Sequence, residues 1–455
     1  MKRYIILTAT AAFLTSCGIY TKYQPVSSVP EDLYGQETTL QSDTASLASL
    51  SWRALFTDPY LQSLIETGLE NNTDYRIAEL QIQEAEASLL ATKLSFLPSF
   101  AISPQGNMSS FDGAKASWTY SAPVTASWEL DIFGRMRNAK RQAQALYAQS
   151  LDYKQAVRTQ LIASIANNYY TLLMLDEQLA LSEETAEAWR ETVASARALM
   201  RAGQYDEAGV SQMEATYYNV QTSVLDLKEQ INQTENVLSL LLAETPQHIQ
   251  RGRLSDQSLP VSFTISVPLD MLALRPDVRM TEHTLEAAFY ATNQARSSFY
   301  PAITLSGSTG WTNSVGTIIT NLGKFLGSAV ASLTQPLFNR GQLLANLKIT
   351  KAQQEAAQLS FTQTLLSAGS EVNDALMAYQ TSRDKSALID SQVEALRRTV
   401  RSTTLLMEHG SHTYLEVLTA RQSLLSAQLT QVANHFTELQ SLVNLYQALG
   451  GGQEE

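Results

Sequence analysis

Apolar and small polar residues alternate along the segment W-T-Y-S-A-P-V-T-A-S-W-E-L-D-I-F-G, residues 118–134. Successive side chains of a β-strand point to opposite sides of the sheet, so this alternation predicts one strand with two unlike faces. The apolar face comprises Trp118, Tyr120, Ala122, Val124, Ala126, Trp128 and Leu130, and the polar face comprises Thr119, Ser121, Thr125, Ser127, Glu129 and Asp131.

A tryptophan lies near each end of this predicted strand. Trp118 and Trp128 are about 33 Å apart along an extended chain, and a tilt near 40° reduces the height between them to about 25 Å. That height matches the apolar band of an outer-membrane β-barrel, which aromatic residues border on both sides. A half-buried strand of a soluble sheet has the same period, so alternation alone leaves both interpretations open.

Helical periodicity dominates the rest of the chain. Neither glycine nor proline occurs between Gly134 and Gly203, about 68 residues that as one helix span about 100 Å. A second long run extends from Gly341 to Gly410. Shorter helices are predicted after them at 210–245 and 411–449, and helical segments at 73–95 and 277–298 precede the strands. The apolar stripe of the first long run is Leu146, Tyr153, Val157, Leu161, Ile165, Tyr169 and Leu172.

Several short sequences recur at an offset of 203 to 207 in residue number, which indicates an internal duplication. Each copy is predicted to contain a helix, two strands, a very long helix, a turn and a shorter helix. The matched pairs are Pro98 with Pro301, Phe133 with Phe338 and Gly203 with Gly410.

This pattern divides the chain into five predicted parts. A signal peptide occupies 1–16, a lipidated linker 17–52 and a mid-height linker 247–272. The first repeat covers 53–246, with strands about 97–131 and a helical hairpin about 134–245; the second covers 273–455, with strands about 300–338 and a hairpin about 341–449.

Four strands are predicted in all, at about 97–108, 117–131, 300–312 and 325–338. A membrane barrel needs about eight strands or more, and open sheet edges are not tolerated in lipid. The chain is therefore predicted to oligomerise.

The N-terminal segment M-K-R-Y-I-I-L-T-A-T-A-A-F-L-T-S-C-G has two basic residues and a short apolar run before Cys17, which is typical of an export signal. L-T-S-C at 14–17 resembles the lipobox of bacterial lipoproteins, whose cysteine is acylated and becomes the mature N-terminus. The alternative is a buried or incidental cysteine. Cys17 is the only cysteine of the chain, so its lipidation would leave no thiol for a disulfide or a metal site.

Charge and hydropathy restrict the function further. The 455 residues carry a net charge of −12, and removal of 1–16 with Lys2 and Arg3 makes it −14, which argues against nucleic acid as a partner. After the N-terminus no stretch of about 18 apolar residues occurs, so no membrane-spanning helix is predicted.

Four motifs carry a family resemblance: W-R-A-L-F-T-D-P-Y-L at 52–61, W-E-L-D-I-F-G-R at 128–135, A-L-R-P-D-V at 273–278 and V-N-L-Y-Q-A-L-G-G-G at 443–452. In this order they resemble the TolC-type outer-membrane efflux channels, and within them the OprM-like, NodT-type lipoproteins. The resemblance covers nearly the whole mature chain. It implies a mainly α-helical fold with a membrane β-barrel contribution, in which a homotrimer forms a 12-stranded barrel and a 12-helix tunnel. It also implies an outer-membrane location, N-acyl and S-diacylglycerol groups on Cys17, and docking to a periplasmic adaptor and an inner-membrane pump of the resistance-nodulation-division class.

The same resemblance implies particular site residues. Trp118, Trp128 and Trp311 are expected at the membrane interfaces, and the helix ends at Arg201, Ala202, Gly203, Gln204, Tyr205, Gly410 and Ser411 are expected to dock the partners. A periplasmic gate is expected at Tyr414, Leu415, Glu416, Thr419 and Arg421. Thr419 stands where OprM-like members commonly have an aspartate, which puts their Asp–Arg latch in doubt.

Some residues and the chain itself have other interpretations. His409 and His412 with Glu408 are near in sequence, but exposed loop histidines explain them better than a metal site. Asp206, Glu207 and Glu408 form either a solvated end or an entrance that concentrates cations. In A-L-R-P-D-V, Pro276 is expected to begin a helix and Asp277 to favour its positive end.

Two other classes of protein compete with the channel. A soluble periplasmic helical scaffold or adhesin leaves the two-faced strands unexplained. A secreted enzyme would need a catalytic site, and none is recognisable in the sequence.

Overall fold

The computed structural model describes residues 22–24, 51–257, 275–312, 324–409 and 414–451. The predicted signal peptide, Cys17, Gly410 and Ser411 lie outside these ranges, as do the side chains of Tyr414 and Leu415. The described helices are α1 (Trp52–Leu55), α2 (Pro59–Asn71), α3 (Thr73–Leu94), α4 (Arg135–Arg201), α5 (Glu207–Leu241), α6 (Pro276–Ser297), α7 (Gln342–Glu408) and α8 (Tyr414–Ala448). No helix among the described residues is long and apolar enough to cross a membrane.

Six of these helices form three pairs of equal length. The helices α3 and α6 have 22 residues each, α4 and α7 have 67, and α5 and α8 have 35. The predicted long helices are confirmed between their glycines, because no glycine or proline interrupts α4 and the one glycine within α7 does not end it.

The predicted end of the first helical hairpin at 245 is wrong by four residues. Helix α5 ends at Leu241 because Ala243 adopts a left-handed conformation with φ 57°. The Glu244 N–H then donates to the Ser239 carbonyl, which closes the helix end.

Five strands form one antiparallel sheet in the order β1–β3–β4–β5, with β2 also paired to β3. They are β1 (Ser99–Ile102), β2 (Gln105–Ser109), β3 (Ser117–Leu130), β4 (Ala302–Thr312) and β5 (Lys324–Thr334). The strand predicted at 97–108 is thus interrupted at Ser103 and Pro104, yet β1 and β2 keep one register against β3: Ser99 lies opposite Ser127, and Gln105 opposite Ser121. They act as a single interrupted strand.

The last strand is shorter than the predicted 325–338, because β5 ends at Thr334. The Gln335 side-chain amide donates to the Phe299 carbonyl at 3.0 Å, and Pro336 has no N–H to continue the ladder. Leu337 and Phe338 therefore lie beyond the strand and are exposed.

The elements recur at two offsets in residue number. Strand β4 (Ala302–Thr312) follows the combined span of β1 and β2, Ser99 to Ser109, at an offset of 203 at both ends. The start of β5 at Lys324 follows the start of β3 at Ser117 at an offset of 207, and this offset persists through the long and shorter helices. Gly134 and Gly341 share the offset of 207, and both have positive φ, 75° and 77°. The match of Phe133 with Phe338, at an offset of 205, is therefore displaced by two residues.

The chain divides into two compact units. The sheet unit includes residues 22–24, 80–152 and 279–364, and the helical unit includes 51–79, 153–257, 275–278, 365–409 and 414–451. In the helical unit, one apolar cluster joins α4, α5 and α8. It consists of Ala186, Trp189, Val193, Ala196, Val210, Met213, Val220 and Leu418.

The predicted apolar stripe of α4 is confirmed in its second half only. Leu161, Ile165, Tyr169 and Leu172 are buried, whereas Leu146 is 41% exposed. At about 100° per residue, Leu146 lies about 80° around the helix from Leu172, so the stripe drifts away from the buried face.

Candidate functional site

The sheet exposes an apolar face. Trp118, Trp311 and Trp128 are 58%, 52% and 40% exposed, and most of their neighbours on this face are apolar. A contiguous exposed apolar surface marks contact with lipid or protein rather than water. Its other exposed members are Phe100, Ile102, Met108, Val124, Leu305, Phe325 and Leu333.

The opposite face of the sheet is mainly polar. The Ser308 and Ser328 hydroxyls are 2.7 Å apart on paired strands, and the Thr125 hydroxyl donates to the Ala101 carbonyl. Val330 is an exposed apolar residue on this face. A sheet with one apolar and one largely hydroxyl-bearing surface suits a boundary between lipid and a water-filled lumen.

The tryptophans lie towards the two ends of the strands. The Trp128 indole donates to the Phe96 carbonyl at 2.9 Å, near the helical end of β3. Trp311 packs edge-on against Phe325 with ring centroids 6.2 Å apart, near the start of β5. Trp118 is the second residue of β3. The aromatic residues thus lie near both ends of the apolar face.

The motif W-E-L-D-I-F-G-R joins β3 to α4. The Asp131 carboxylate accepts hydrogen bonds from the N–H groups of Met136 and Arg137, which satisfies two free donors of the helix start. Arg135 pairs with Glu129 at 2.5 Å. The motif therefore fixes the exit direction of the chain from the sheet.

The predicted docking end between α4 and α5 is an ordered, exposed turn. Gly203 has φ 73°, its N–H donates to the Met200 carbonyl, and the Gln204 N–H donates to the Leu199 carbonyl. This double closure is a Schellman motif. The Asp206 carboxylate then caps α5 by accepting from the Gly209 N–H at 2.6 Å.

The exposure of the predicted docking residues is uneven. Arg201, Ala202, Gly203 and Gln204 are exposed, whereas Tyr205 is half-buried against the α4–α5–α8 cluster. A rigid turn with exposed residues is a suitable protein contact.

Of the predicted gate residues whose side chains are described, Glu416 and Thr419 are exposed and Arg421 is half-buried. Their neighbours Val417, Leu418 and Ala420 are buried. Arg421 donates from Nη1 to the Thr192 hydroxyl of α4 at 3.1 Å. The start of α8 thus contacts α4 through the packing of Leu418 in the apolar cluster and through the Arg421–Thr192 hydrogen bond.

Arg251 holds a buried ion-pair cluster that the sequence patterns did not identify. Its guanidinium contacts Asp176 of α4 and Glu235 of α5, each at 2.5 Å, and its side chain is 9% exposed. Burial acts to raise the pKa of the Glu235 carboxyl, but the hydrogen bond and charge of Arg251 hold it below its ordinary value. Since Asp176 is 75 residues from Arg251, no local motif could reveal the cluster.

The motifs A-L-R-P-D-V and V-N-L-Y-Q-A-L-G-G-G meet at Arg275. Its guanidinium donates to Asp277, to Glu371 of α7 at 2.7 Å and to the Ala448 carbonyl at 2.8 Å. Pro276 begins α6, as predicted. The Arg275 charge lies at the C-terminal end of α8, where the helix dipole favours a cation.

A third motif places a carboxylate in a buried network. Asp58 of W-R-A-L-F-T-D-P-Y-L accepts hydrogen bonds from the Tyr169 hydroxyl at 2.6 Å, the Gln257 amide and the Tyr60 N–H. Its N-cap role before Pro59 is readable from sequence, but its Tyr169 partner is not.

Metal-binding geometry is not found in the described part of the chain. No group of three or more His, Cys, Asp or Glu side chains there is arranged to hold a metal ion. The side chain of Glu408 and the whole of His412 lie outside the described residues.

The sequence matches the family model "Outer membrane efflux protein" over residues 64–244 and 267–451. The chain belongs to the outer membrane efflux protein family. Toluene efflux pump outer membrane protein TtgC of Pseudomonas putida is 30% identical over 473 residues, which cover 100% of this chain and 96% of TtgC. "Probable outer membrane lipoprotein SilC" of Salmonella typhimurium is 26% identical over 465 residues, the full length of both.

A third relative links the sequence to a solved structure. Cation efflux system protein CusC of Escherichia coli is 27% identical over 449 residues, 98% of each chain. A CusC crystal structure superposes with a TM-score of 0.85 at 26% identity and covers 96% of this chain and 100% of CusC. The mainly helical fold with a small sheet is that of these channels. The protein is an outer-membrane component of an efflux system, and the soluble scaffold is not favoured.

Proposed function

We propose that three copies of the chain close their sheets into a 12-stranded barrel and their long helices into a 12-helix tunnel. The main observation that supports this proposal is the sheet, which has one exposed apolar face and one largely polar face. The outer edges of this sheet pair with no other described strand. Each chain supplies four strand positions, because β1 and β2 share one register. Such a sheet satisfies its edges only by pairing with further copies.

Solubility and mass test this proposal together. The protein is expected to stay in the membrane fraction without detergent and to have the mass of three chains in detergent by light scattering. A monomer released without detergent would instead support the periplasmic scaffold.

We also propose that the chain is a tandem repeat, with the boundaries expected from sequence at 53–246 and 273–455 and linkers at 17–52 and 247–272. The equal helix lengths of 22, 67 and 35 residues support it. So do equivalent hydrogen bonds to the carbonyls of Phe96 and Phe299, one from Trp128 and one from Gln335.

In this assembly the chain is a passive conduit and not an enzyme. Small molecules enter from a periplasmic adaptor and an inner-membrane pump of the resistance-nodulation-division class and leave to the exterior. The partners dock at the helix ends, on the exposed turn at 201–205 and around Gly410 and Ser411. The Schellman turn supports this role because it presents exposed residues on a fixed backbone.

Cys17 is proposed to carry the N-acyl and S-diacylglycerol groups, with 1–16 removed as a signal peptide. The SilC relative is named as a lipoprotein, which supports this. Two or three acyl chains anchor a protein stably where one gives marginal binding. Mass spectrometry of the purified protein is expected to show a mature N-terminus at Cys17 with the added mass of these groups. An unmodified Cys17 thiol in the mature protein would exclude the lipid anchor.

The gate is proposed at Tyr414, Leu415, Glu416, Thr419 and Arg421. Three Leu415 side chains that meet at a threefold axis exclude water, and alanine there would leave an opening. Leu415→Ala is therefore expected to raise the closed-state conductance of the reconstituted channel in planar bilayers, and Thr419→Ala much less. Unchanged conductance of a trimeric Leu415→Ala channel would place the gate elsewhere.

A further inference from the structure

The sheet contains one seam whose two strands come from different halves of the chain. Strand β3 of the first half pairs antiparallel with β4 of the second half, from Ser121 opposite Thr312 to Leu130 opposite Ile303. The outer edge of β1 and β2 and the outer edge of β5 have no partner among the described residues. If the halves are equivalent, the β3–β4 seam is a template for how β5 meets β1 and β2 of another copy.

The two offsets, 203 and 207, translate the template into a register. Adding 207 to a β3 residue number gives its equivalent on β5, and subtracting 203 from a β4 residue number gives its equivalent on β1 or β2. Thr125 opposite Ser308 becomes Ser332 opposite Gln105, and Ser121 opposite Thr312 becomes Ser328 opposite Ser109. All four translated residues lie on the polar face, so the register preserves the two faces.

Side-chain contacts within the chain support the two offsets independently. The Trp128 indole donates to the Phe96 carbonyl, and the Gln335 amide donates to the Phe299 carbonyl. The two donors differ by 207 in residue number and the two acceptors by 203. The same offsets therefore relate equivalent bonds whose donors are different residue types.

The exposed apolar residues at the edges also fit the register. Leu130 opposite Ile303 translates into Leu337 opposite Phe100. Leu130 and Ile303 are half-buried within the chain, whereas Leu337 is 93% exposed and Phe100 is 72% exposed. A second copy in this register would pair one side chain with the other at the helical end of the seam.

We propose that β5 of one copy pairs antiparallel with the β1 and β2 edge of the next, with Ser332 opposite Gln105 and Ser328 opposite Ser109. In the same register Leu337, which follows the end of β5, lies beside Phe100 of the next copy. The proposal rests on the assembly put forward under the proposed function and specifies its interface. Pro104, opposite Leu333 in this register, has no N–H, so the seam has one hydrogen bond fewer than the β3–β4 seam.

Paired cysteines test the register. Facing residues on neighbouring strands have Cβ atoms about 5 Å apart, within reach of a short bismethanethiosulfonate linker. The matched chains carry Ser332→Cys with Gln105→Cys, or Ser328→Cys with Ser109→Cys. The swapped chains carry Ser332→Cys with Ser109→Cys, or Ser328→Cys with Gln105→Cys, and their cysteines are about four residues, or about 13 Å, out of register. Because matched and swapped chains use the same four substitutions, a folding defect of any one affects both sets.

Outer membranes are treated with the linker, and the products are separated on non-reducing gels. Chains with only one of the introduced cysteines are the controls for cross-links made through Cys17. Matched chains are expected to lose the monomer band and form a ladder, while swapped chains remain monomeric. The register would be wrong if the swapped chains were cross-linked as much as the matched chains or more. It would also be wrong if no variant were cross-linked although each has the mass of an oligomer. Neither result would contradict the assembly itself. No linking in a chain with the mass of a monomer would overturn both proposals. The highest rung separately reports the number of copies.

Discussion

Arg251→Leu is expected to destabilise the helical unit by about 3–5 kcal/mol, because it removes one partner of a buried ion-pair cluster. The Glu235 side chain is 11% exposed and would lose the guanidinium that lies 2.5 Å from its carboxylate. The loss also removes the ionic link that Arg251 makes between Asp176 of α4 and Glu235 of α5. Thermal unfolding of the detergent-solubilised protein, followed by circular dichroism at neutral pH, measures the effect.

Arg253→Leu is the matched control for this change. Arg253 is exposed and lies two residues along the same segment, so the substitution removes the same charge without emptying a buried site. It is expected to change stability by less than about 1 kcal/mol. Equal destabilisation by both substitutions would show that the Arg251 cluster adds nothing beyond surface charge.

The cost of Arg251→Leu is also expected to depend on pH. In the native protein the pKa of Glu235 lies below its ordinary value, so the stabilisation from its ionised form is present above the ordinary carboxyl pKa and declines as pH falls through the lowered pKa. In Arg251→Leu the guanidinium no longer opposes the effect of burial, so the pKa of Glu235 is higher than in the native protein. Protonation of Glu235 then removes the buried charge. The difference in stability between the two proteins should therefore narrow as pH is lowered from about 7 towards about 4. A constant difference over this range would exclude Glu235 as its source.

Local sequence signals predicted the helices well because their ends depend on local chemistry. Gly134 and Gly203 flank α4 with positive φ of 75° and 73°, a conformation that glycine adopts without strain. The end of α5 was missed because Ala243 takes the same role at φ 57°, and alanine gives no such signal. The periods of the strands were equally readable, since alternation depends only on which residues share a face.

Long-range contacts were not readable in this way. Arg275 reaches the Ala448 carbonyl across 173 residues, and Tyr169 reaches Asp58 across 111. The motifs that contain Arg275, Ala448 and Asp58 were recognised in the sequence. The contacts that these three residues make became visible only in the folded structure. The match of Phe133 with Phe338 by residue type gave an offset of 205, smaller by two than the offset that Gly134 and Gly341 give.

The two faces of β3 lead to the sharpest test of membrane location. Val124 lies in the middle of the strand on the apolar face and is 38% exposed, opposite Ile102 and Thr309 on the neighbouring strands. Thr125 is the next residue and points to the other face, where its hydroxyl donates to the Ala101 carbonyl. A substitution at each position therefore introduces the same charge at the same depth on opposite sides of one sheet.

Val124→Lys is expected to cost about 2–4 kcal/mol, because a lysine at the middle of the proposed lipid-facing band must leave water or distort the bilayer. Thr125→Lys loses one exposed hydroxyl bond but keeps its ammonium group in water, on the side of the sheet that faces the proposed lumen. The cost there should therefore stay below about 1 kcal/mol. Guanidinium unfolding of both variants from lipid vesicles, followed by tryptophan fluorescence, compares the two costs directly. Because Trp118 and Trp128 lie on the same face as Val124, their emission is expected to shift to longer wavelength as the sheet leaves the lipid. Equal costs at the two positions, or a larger cost at Thr125, would mean that the apolar face of β3 is not the face that contacts lipid.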